Sequence, residues 1–146
     1  MSITLTPAGR PALTPAQLRL RANYRNLALW TLQGWVAMFF LAAGYAKLSE
    51  PMDNLVALMT WPAYASESLV RGLGLVEVVM ALGLLAPLAS WKRGRWPLLI
   101  SAAGLIALQT VMLTIHAAGL DIGLALTNMV LLAMTIPVLL GRRTAP

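Results

Sequence analysis

The sequence predicts an all-α integral membrane protein built as a four-helix transmembrane bundle, and two observations carry this prediction. Of 146 residues, 59% are hydrophobic and only 11% are charged, whereas a soluble domain carries about a quarter charged residues. The apolar residues also gather into four runs of about the 20 residues that a helix needs to cross a bilayer. Too little polar sequence remains to coat four buried helices of a soluble protein.

The four predicted spans are separated by short segments rich in proline, glycine or charged residues. They cover residues 27–47, 69–89, 97–118 and 123–140, within a membrane domain of residues 27–141. Pro137 is expected to kink or loosen the last turns of the fourth span. The first run is longer than the apolar region of a signal peptide and follows a long leader, so we expect a retained span.

Two shorter segments are expected at the membrane surface. Residues 1–26 form a basic arm whose first residues are expected to be disordered. In this arm Thr14-Pro15-Ala16-Gln17 is typical of a capped helix start, which predicts a short helix lying on the membrane before the first span. Met52–Met59 is predicted as a second interfacial helix, followed by Trp61 and Tyr64 at the headgroups.

The distribution of lysine and arginine predicts the orientation. Basic residues cluster in the arm, in the second connection and in the tail of residues 142–146, whereas the first and third connections carry the acidic residues. The positive-inside rule therefore places both termini in the cytoplasm. Six basic residues are expected to contact anionic lipids or a partner protein: Arg19, Arg21, Arg25, Lys92, Arg93 and Arg95. These segments lack the folded scaffold that nucleic-acid recognition needs.

Several kinds of chemistry are excluded or unsupported. The chain has no cysteine, which excludes a disulfide, a thiol nucleophile and a cysteine-ligated metal or cluster. We find no phosphate-binding loop, dinucleotide-binding motif or nucleophilic serine motif. One histidine and one intramembrane glutamate are too few for a metal site, so no metal and no intrinsic cofactor are expected. The catalytic residues, if the chain has any, are not identifiable.

The second predicted span contains a carboxylate, Glu77, within the apolar stretch GLVEVVMALGLL. A charge at mid-helix costs about 3 kcal/mol on insertion scales, while each large aliphatic residue returns about 0.3–0.6 kcal/mol. The helix therefore still inserts, but the carboxylate needs a partner or a proton. An intramembrane ionisable residue indicates a functional site by default, although an ion pair with Lys47 that holds the fold would also explain it.

The other spans carry polar residues seven positions apart, which places them on one helix face. Gln33 and Lys47 flank Phe40 in the first span. The spacing recurs in the third and fourth spans, at Gln109 with His116 and at Asn128 with Thr135. With the predicted orientation, these residues predict a polar ligand-binding pocket in the outer half of the bundle. Small residues at Gly44, Gly74 and Ala81 would let the helices approach closely. The pocket would be lined by Lys47, Glu77, His116 and Asn128, with Gln109 as its floor.

Simpler interpretations of the same residues stay open. Lys47 and His116 lie near helix ends, where they can reach the headgroup region without any further role. Gln109 and Asn128 can hydrogen-bond between helices and so stabilise the bundle.

Parts of the sequence resemble the DoxX-like family of small four-span bacterial membrane proteins. The resemblance lies in FFLAAGYAKL, in RGLGLVEVVMALGLLAP, in the late histidine of the third span and in the early asparagine of the fourth. It covers about residues 35–143 and does not include the basic arm. It implies that the recurring polar residues of the family fall here on Lys47, Glu77, His116 and Asn128.

The resemblance also implies a functional class, because relatives are associated with quinone-linked oxidation of sulfur compounds and with oxidant stress. The leading hypothesis is an accessory or quinone-interacting subunit of a membrane redox complex in the bacterial inner membrane, with a bound quinone as its ligand. If catalytic, it would be part of a quinone-linked oxidoreductase. The alternatives are a purely structural subunit of a membrane assembly and a small proton-coupled exporter acting as an oligomer. Expected partners are lipids and other membrane subunits or further copies of the chain.

Overall fold

The computed structural model of the chain describes residues 13–143, which form five α-helices and two 3-10 turns without any strand. The expectations for residues 1–12 and 144–146, including the disordered start of the arm and the end of the tail, lie outside this range. The 3-10 turns cover Trp61–Tyr64 and Ala86–Leu88. The helices are α1 Pro15–Ser49, α2 Met52–Met59, α3 Glu67–Leu85, α4 Trp91–Ala118 and α5 Ile122–Arg143.

Four segments are long and apolar enough to cross a membrane, which confirms the predicted fold class. These segments are Pro15–Ser49, Glu67–Leu88, Trp91–Ala118 and Ile122–Arg143. The eight residues of α2 are too few to span a bilayer, and its bounds agree with the predicted interfacial helix. We call the end of the bundle that carries α2 the α2 end, and the end with the α3–α4 connection the opposite end.

The first helix differs from its prediction because the expected surface helix and the first span are one continuous element. The helix begins at the predicted capping box, in which the Gln17 amide donates to Thr14 Oγ1 at 3.3 Å and the Thr14 amide donates to Gln17 Oε1 at 2.9 Å. Its 35 residues extend about 52 Å, well beyond a hydrocarbon core of about 30 Å. Residues 15–25 are exposed and project from the bundle.

Both Pro97 and Pro137 lie inside helices, which differs from the prediction for Pro97 and agrees with it for Pro137. Pro97 lies inside α4, which begins six residues earlier than the predicted third span. Pro137 lies inside α5, which continues to Arg143 and so includes two residues predicted in the tail. Proline is tolerated in membrane helices because neighbouring helices and local adjustments satisfy the freed carbonyl groups.

The helices pack most extensively as the pairs α1 with α3 and α4 with α5. Where α1 crosses α3, a Cβ atom on Gly44 would lie 2.7 Å from the Gly74 carbonyl oxygen, and one on Gly74 would lie 2.7 Å from Lys47 Cβ. This agrees with the predicted role of small residues. The buried core lies beside this crossing and consists of Val36, Ala37, Phe40, Ala81, Leu84, Ala102, Leu105 and Leu131.

Candidate functional site

A buried ion pair joins α1 to α3 at the α2 end. Lys47 Nζ donates to both carboxylate oxygens of Glu77, at 2.8 and 3.0 Å. Each residue is only 4% exposed. The backbones of α1 and α3 approach each other closely beside this ion pair, at Gly44 and Gly74. The glutamate in the apolar run therefore has its partner within the chain, and the pair places one positive and one negative group inside the bundle.

Gln109 lies deeper in the bundle and links α4 to α5. Its Nε2 donates to Thr135 Oγ1 at 3.1 Å, and the Thr135 hydroxyl in turn donates to the Leu131 carbonyl oxygen of its own helix at 2.7 Å. Gln109 Oε1 is fully buried and has no hydrogen-bond partner among the described residues. One buried acceptor is therefore left unsatisfied.

His116 lies at the last turn of α4, next to the connection to α5. Its Nδ1 is 3.9 Å from Asp121 Oδ2. The two side chains form an ion pair only when the imidazole is protonated. Asp121 also accepts from the Leu124 amide at the start of α5 and from the Thr60 hydroxyl, both at 3.3 Å. Thr60 has a left-handed backbone with φ 61°, which a β-branched residue seldom adopts. The contact with Asp121 ties the end of α2 to the α4–α5 turn.

The structure brings all five candidate residues to one cavity of about 310 Å³ at the α2 end. Asn128, half-buried, faces it from α5 and donates to the Leu124 carbonyl oxygen at 2.9 Å. This volume is at the lower end of the range of small-molecule sites, about 300–1,000 Å³. The other lining residues are mostly apolar: Phe39, Phe40, Ala42, Ala43, Leu58, Met59, Trp61, Leu108, Met112, Leu124, Thr127 and Leu131.

The segment between α1 and α3 contributes part of the cavity wall. Leu58 and Met59 from α2 and Trp61 from the following 3-10 turn contribute to its wall. Phe39 on α1 and Leu108 and Met112 on α4 also line neighbouring apolar grooves on the bundle surface. An amphipathic molecule could therefore place a polar group in the cavity and an apolar part along the bundle surface.

Two arginines, one half-buried and one buried, have structural roles that sequence reasoning missed. Arg71 Nη1 donates to the carbonyl oxygens of Lys47 and Glu50, at 2.6 and 2.8 Å, and so caps the last turn of α1. Arg142 is 3% exposed at the opposite end. The sequence does not reveal these roles, because an arginine near a helix end has the same sequence pattern whether it is solvated or buried.

Arg142 lies between two tryptophan rings, 4.8 Å from the centroid of Trp30 and 5.1 Å from that of Trp91. Its Nη1 donates to Asn26 Oδ1 at 2.7 Å and its Nε to Gln33 Oε1 at 3.3 Å. This cluster joins α1, α4 and α5 far from the cavity. The spacing of Trp30 and Gln33, one turn apart on α1, was the available sequence signal.

The six basic residues predicted to dock to lipids or a partner are not part of the cavity. Arg19, Arg21 and Arg25 are exposed on the projecting turns of α1. Lys92 and Arg93 are exposed at the start of α4, and Arg95 is half-buried and donates to the Arg143 carbonyl oxygen at 2.9 Å. Their docking role stays a prediction.

Within residues 13–143, no three histidine, aspartate or glutamate side chains are grouped closely enough to hold a metal ion. Compared with known proteins, residues 31–138 match the profile of the DoxX-like family. No curated protein and no solved structure matches the chain.

Proposed function

The chain belongs to the DoxX-like family of membrane proteins, and from this membership and the polar cavity we propose that it binds a quinone-type ring ligand as a subunit of a membrane redox complex. The observation that carries the proposal is the convergence of Lys47, Glu77, Gln109, His116 and Asn128 on one cavity with apolar walls. Small-molecule sites combine apolar walls with a few placed polar groups in this way.

The polar residues have distinct roles in this proposal. Lys47 holds positive charge at the cavity wall and stabilises an anionic oxygen on the ring, while Asn128 orients the head. Reduction of a quinone to a quinol takes two electrons and two protons. The redox centre of a partner subunit supplies the electrons, and Glu77 and His116 pass the protons.

The proposed location is the bacterial inner membrane, with both termini in the cytoplasm. The basic residues at the opposite end of the bundle support this orientation through the positive-inside rule. The cavity then lies in the outer half of the membrane. Arg19, Arg21 and Arg25 would contact anionic headgroups or a partner at the cytoplasmic surface.

A second candidate function, a purely structural subunit, is favoured by the ion pair itself. Lys47 and Glu77 satisfy each other through two hydrogen bonds, so neither needs a ligand. In that case the arm would dock to a partner. Deleting the residues before Leu27 should then weaken assembly with that partner, and unchanged assembly would exclude docking by the arm.

Binding of a short-chain quinone to the purified protein in lipid nanodiscs tests the proposed function. We expect saturable binding that weakens on the order of tenfold in Glu77→Gln, because a charged hydrogen-bonding group in a dry site is lost. Glu67→Gln is the matched control, since its side chain is 63% exposed on the same helix. If Glu77→Gln does not fold, His116→Asn serves instead. Absence of quinone binding to the wild-type protein contradicts the proposal.

A further inference from the structure

One of the apolar grooves beside the cavity lies between α1 and α5, and we call it the α1–α5 groove. Its volume is about 380 Å³. Three of its wall residues, Phe39, Thr127 and Leu131, also line the polar cavity, so the groove and the cavity adjoin. The complete wall consists of Trp35 and Phe39 from α1 and Leu126, Thr127, Val130, Leu131 and Met134 from α5.

The cavity reaches the surface of the bundle on the side of this groove. Phe39 is 40% exposed and Ala42 is also exposed, and both line the cavity. Of the fully described helix α3, by contrast, only the buried Glu77 lines the cavity. The wall of the cavity is therefore in contact with the membrane between α1 and α5, and not at α3.

The packing of α1 against α5 leaves room for this opening. These two helices form the least extensively packed of the four neighbouring pairs of spanning helices. They approach closely at the opposite end, where a Cβ atom added to Gly141 would lie 2.7 Å from Leu29 Cδ1. Nearer the α2 end, the space between them contains the groove and the cavity.

The α1–α5 groove lies at the depth of the hydrocarbon core. Phe39 and Trp35 precede Lys47, the last residue of the predicted first span, by about 12 and 18 Å along α1, and the hydrocarbon core is about 30 Å thick. Trp35 is 58% exposed near the middle of this span, although tryptophan is enriched at the membrane–water interfaces. A ligand that passes between α1 and α5 at this level comes from the bilayer and not from water.

We infer that the ligand of the cavity is an amphiphile with a single hydrocarbon chain, which enters from the bilayer between α1 and α5 and keeps its chain in the α1–α5 groove while its polar head lies in the cavity. The inference rests on the proposed ligand-binding function and specifies the class of ligand and its route. Since lipid tails are as apolar as the groove, the chain gains van der Waals packing in the groove and little from burial.

Photochemical crosslinking to the full chain in lipid nanodiscs tests where the hydrocarbon chain lies. The probe is 2,3-dimethoxy-5-methylbenzoquinone with a decyl chain that carries a diazirine at its middle, and the competitor is the same decylquinone without the diazirine. We expect crosslinks at Trp35 and Val130 that the competitor removes, mapped by mass spectrometry of peptides. Crosslinks that the competitor does not remove come from probe dissolved in the bilayer.

The rival position for the chain is the groove between α3 and α4, which is lined in part by Leu69, Leu73, Val76, Val111 and Ile115. Val130→Trp and Val111→Trp form a matched pair, because both valines are more than half exposed and each lines one groove. Val130→Trp should weaken binding of the decylquinone about tenfold relative to the same quinone without a chain, because the larger side chain fills the groove. Val111→Trp should change this ratio less than about twofold. Partition of each quinone into the bilayer is the same for both variants and cancels.

The outcomes separate the inference from the proposed function. Competitor-sensitive crosslinks in the groove between α3 and α4, or only crosslinks that the competitor does not remove, overturn the inference. The proposed function then stands if the quinone without a chain still binds. Absence of binding of either quinone overturns both. Crosslinking of the wild-type chain decides the inference by itself if Val130→Trp does not fold.

Discussion

At the scale of single residues, the bundle buries charged side chains in two places, and the groups that stabilise these charges differ between the two. Lys47 and Glu77 form a direct ion pair at the α2 end. At the opposite end, Arg142 is held by aromatic rings and by the side-chain oxygens of Asn26 and Gln33. Its Nη2 has no partner among the described residues. The first arrangement is self-compensating, whereas the second carries a net positive charge.

The ion pair predicts a characteristic pattern of stability. Lys47→Met or Glu77→Gln alone should each destabilise the fold by about 3–5 kcal/mol, because one buried charged group is left without its partner. The double variant Lys47→Met with Glu77→Gln should recover most of this loss. The measurement is the midpoint of thermal aggregation in detergent, followed by size-exclusion chromatography. Additive losses in the double variant would show that the pair is not energetically coupled.

Arg142 predicts a stability effect at a residue that looks like part of a tail. Arg142→Met should destabilise the protein by about 2 kcal/mol, since it removes two cation–π contacts and two hydrogen bonds. Arg143→Met is the control at the adjacent exposed position and should change little. The same thermal assay compares the two variants. Equal midpoints for both would contradict the structural role assigned to Arg142.

The polar residues show what a sequence can and cannot predict at this scale. The spacing of seven correctly identified buried faces that include Gln33, Lys47, Gln109 and Thr135, because a helix repeats its face at that interval. It could not reveal which atoms pair. The hydrogen bond between Gln109 and Thr135 depends on the three-dimensional packing of α4 against α5.

At the scale of the helices, hydropathy predicted which segments span but not where they begin and end. The basic turns of α1 and the residues 91–96 of α4 are helical although they are polar. Hydropathy reports only where a helix enters the apolar core, whereas the backbone hydrogen bonds continue past that level. The position of Pro97 was also misleading, because α4 begins six residues before it although proline lacks an amide donor.

The crossing of α1 and α3 predicts opposite effects for two glycine substitutions on the same helix. Gly44→Ala should destabilise the fold by about 1–3 kcal/mol, because the new methyl group would collide with the Gly74 carbonyl oxygen and Val78. Gly34→Ala should be neutral or stabilising by up to about 1 kcal/mol, since nothing lies within 4 Å of its added Cβ atom. Thermal midpoints of both variants check this. If Gly34→Ala were destabilising and Gly44→Ala neutral, α1 and α3 would not pack closely at Gly44.

At the scale of the whole molecule, the two ends of the bundle have different chemistry. The α2 end holds the cavity, which is lined in part by α2 and the Trp61–Tyr64 turn, and the opposite end carries the basic surface. The fold class and the family could be predicted from the sequence because both depend on apolar runs and short motifs. The contribution of Leu58 and Met59 from α2 to the cavity wall could not, since it depends on how α2 packs against the bundle.

The proposed orientation makes a direct prediction about labelling. The chain has no cysteine, so single cysteines can be introduced at two exposed positions, Tyr64→Cys and Lys92→Cys. In spheroplasts, a membrane-impermeant maleimide should react with the first variant and reach the second only after permeabilisation. The reverse pattern would show that the positive-inside rule fails here and that the cavity lies in the inner half of the membrane.

The central claim is that the cavity at the α2 end is a ligand site. Native mass spectrometry of the protein extracted gently from its own membrane tests this most directly, with Ala43→Phe as a variant that fills the cavity wall. We expect a discrete small-molecule adduct of quinone size on the wild-type chain that is lost in Ala43→Phe, with general lipid adducts unchanged. A wild-type chain that carries only general lipid adducts, or an adduct retained in Ala43→Phe, would contradict the account.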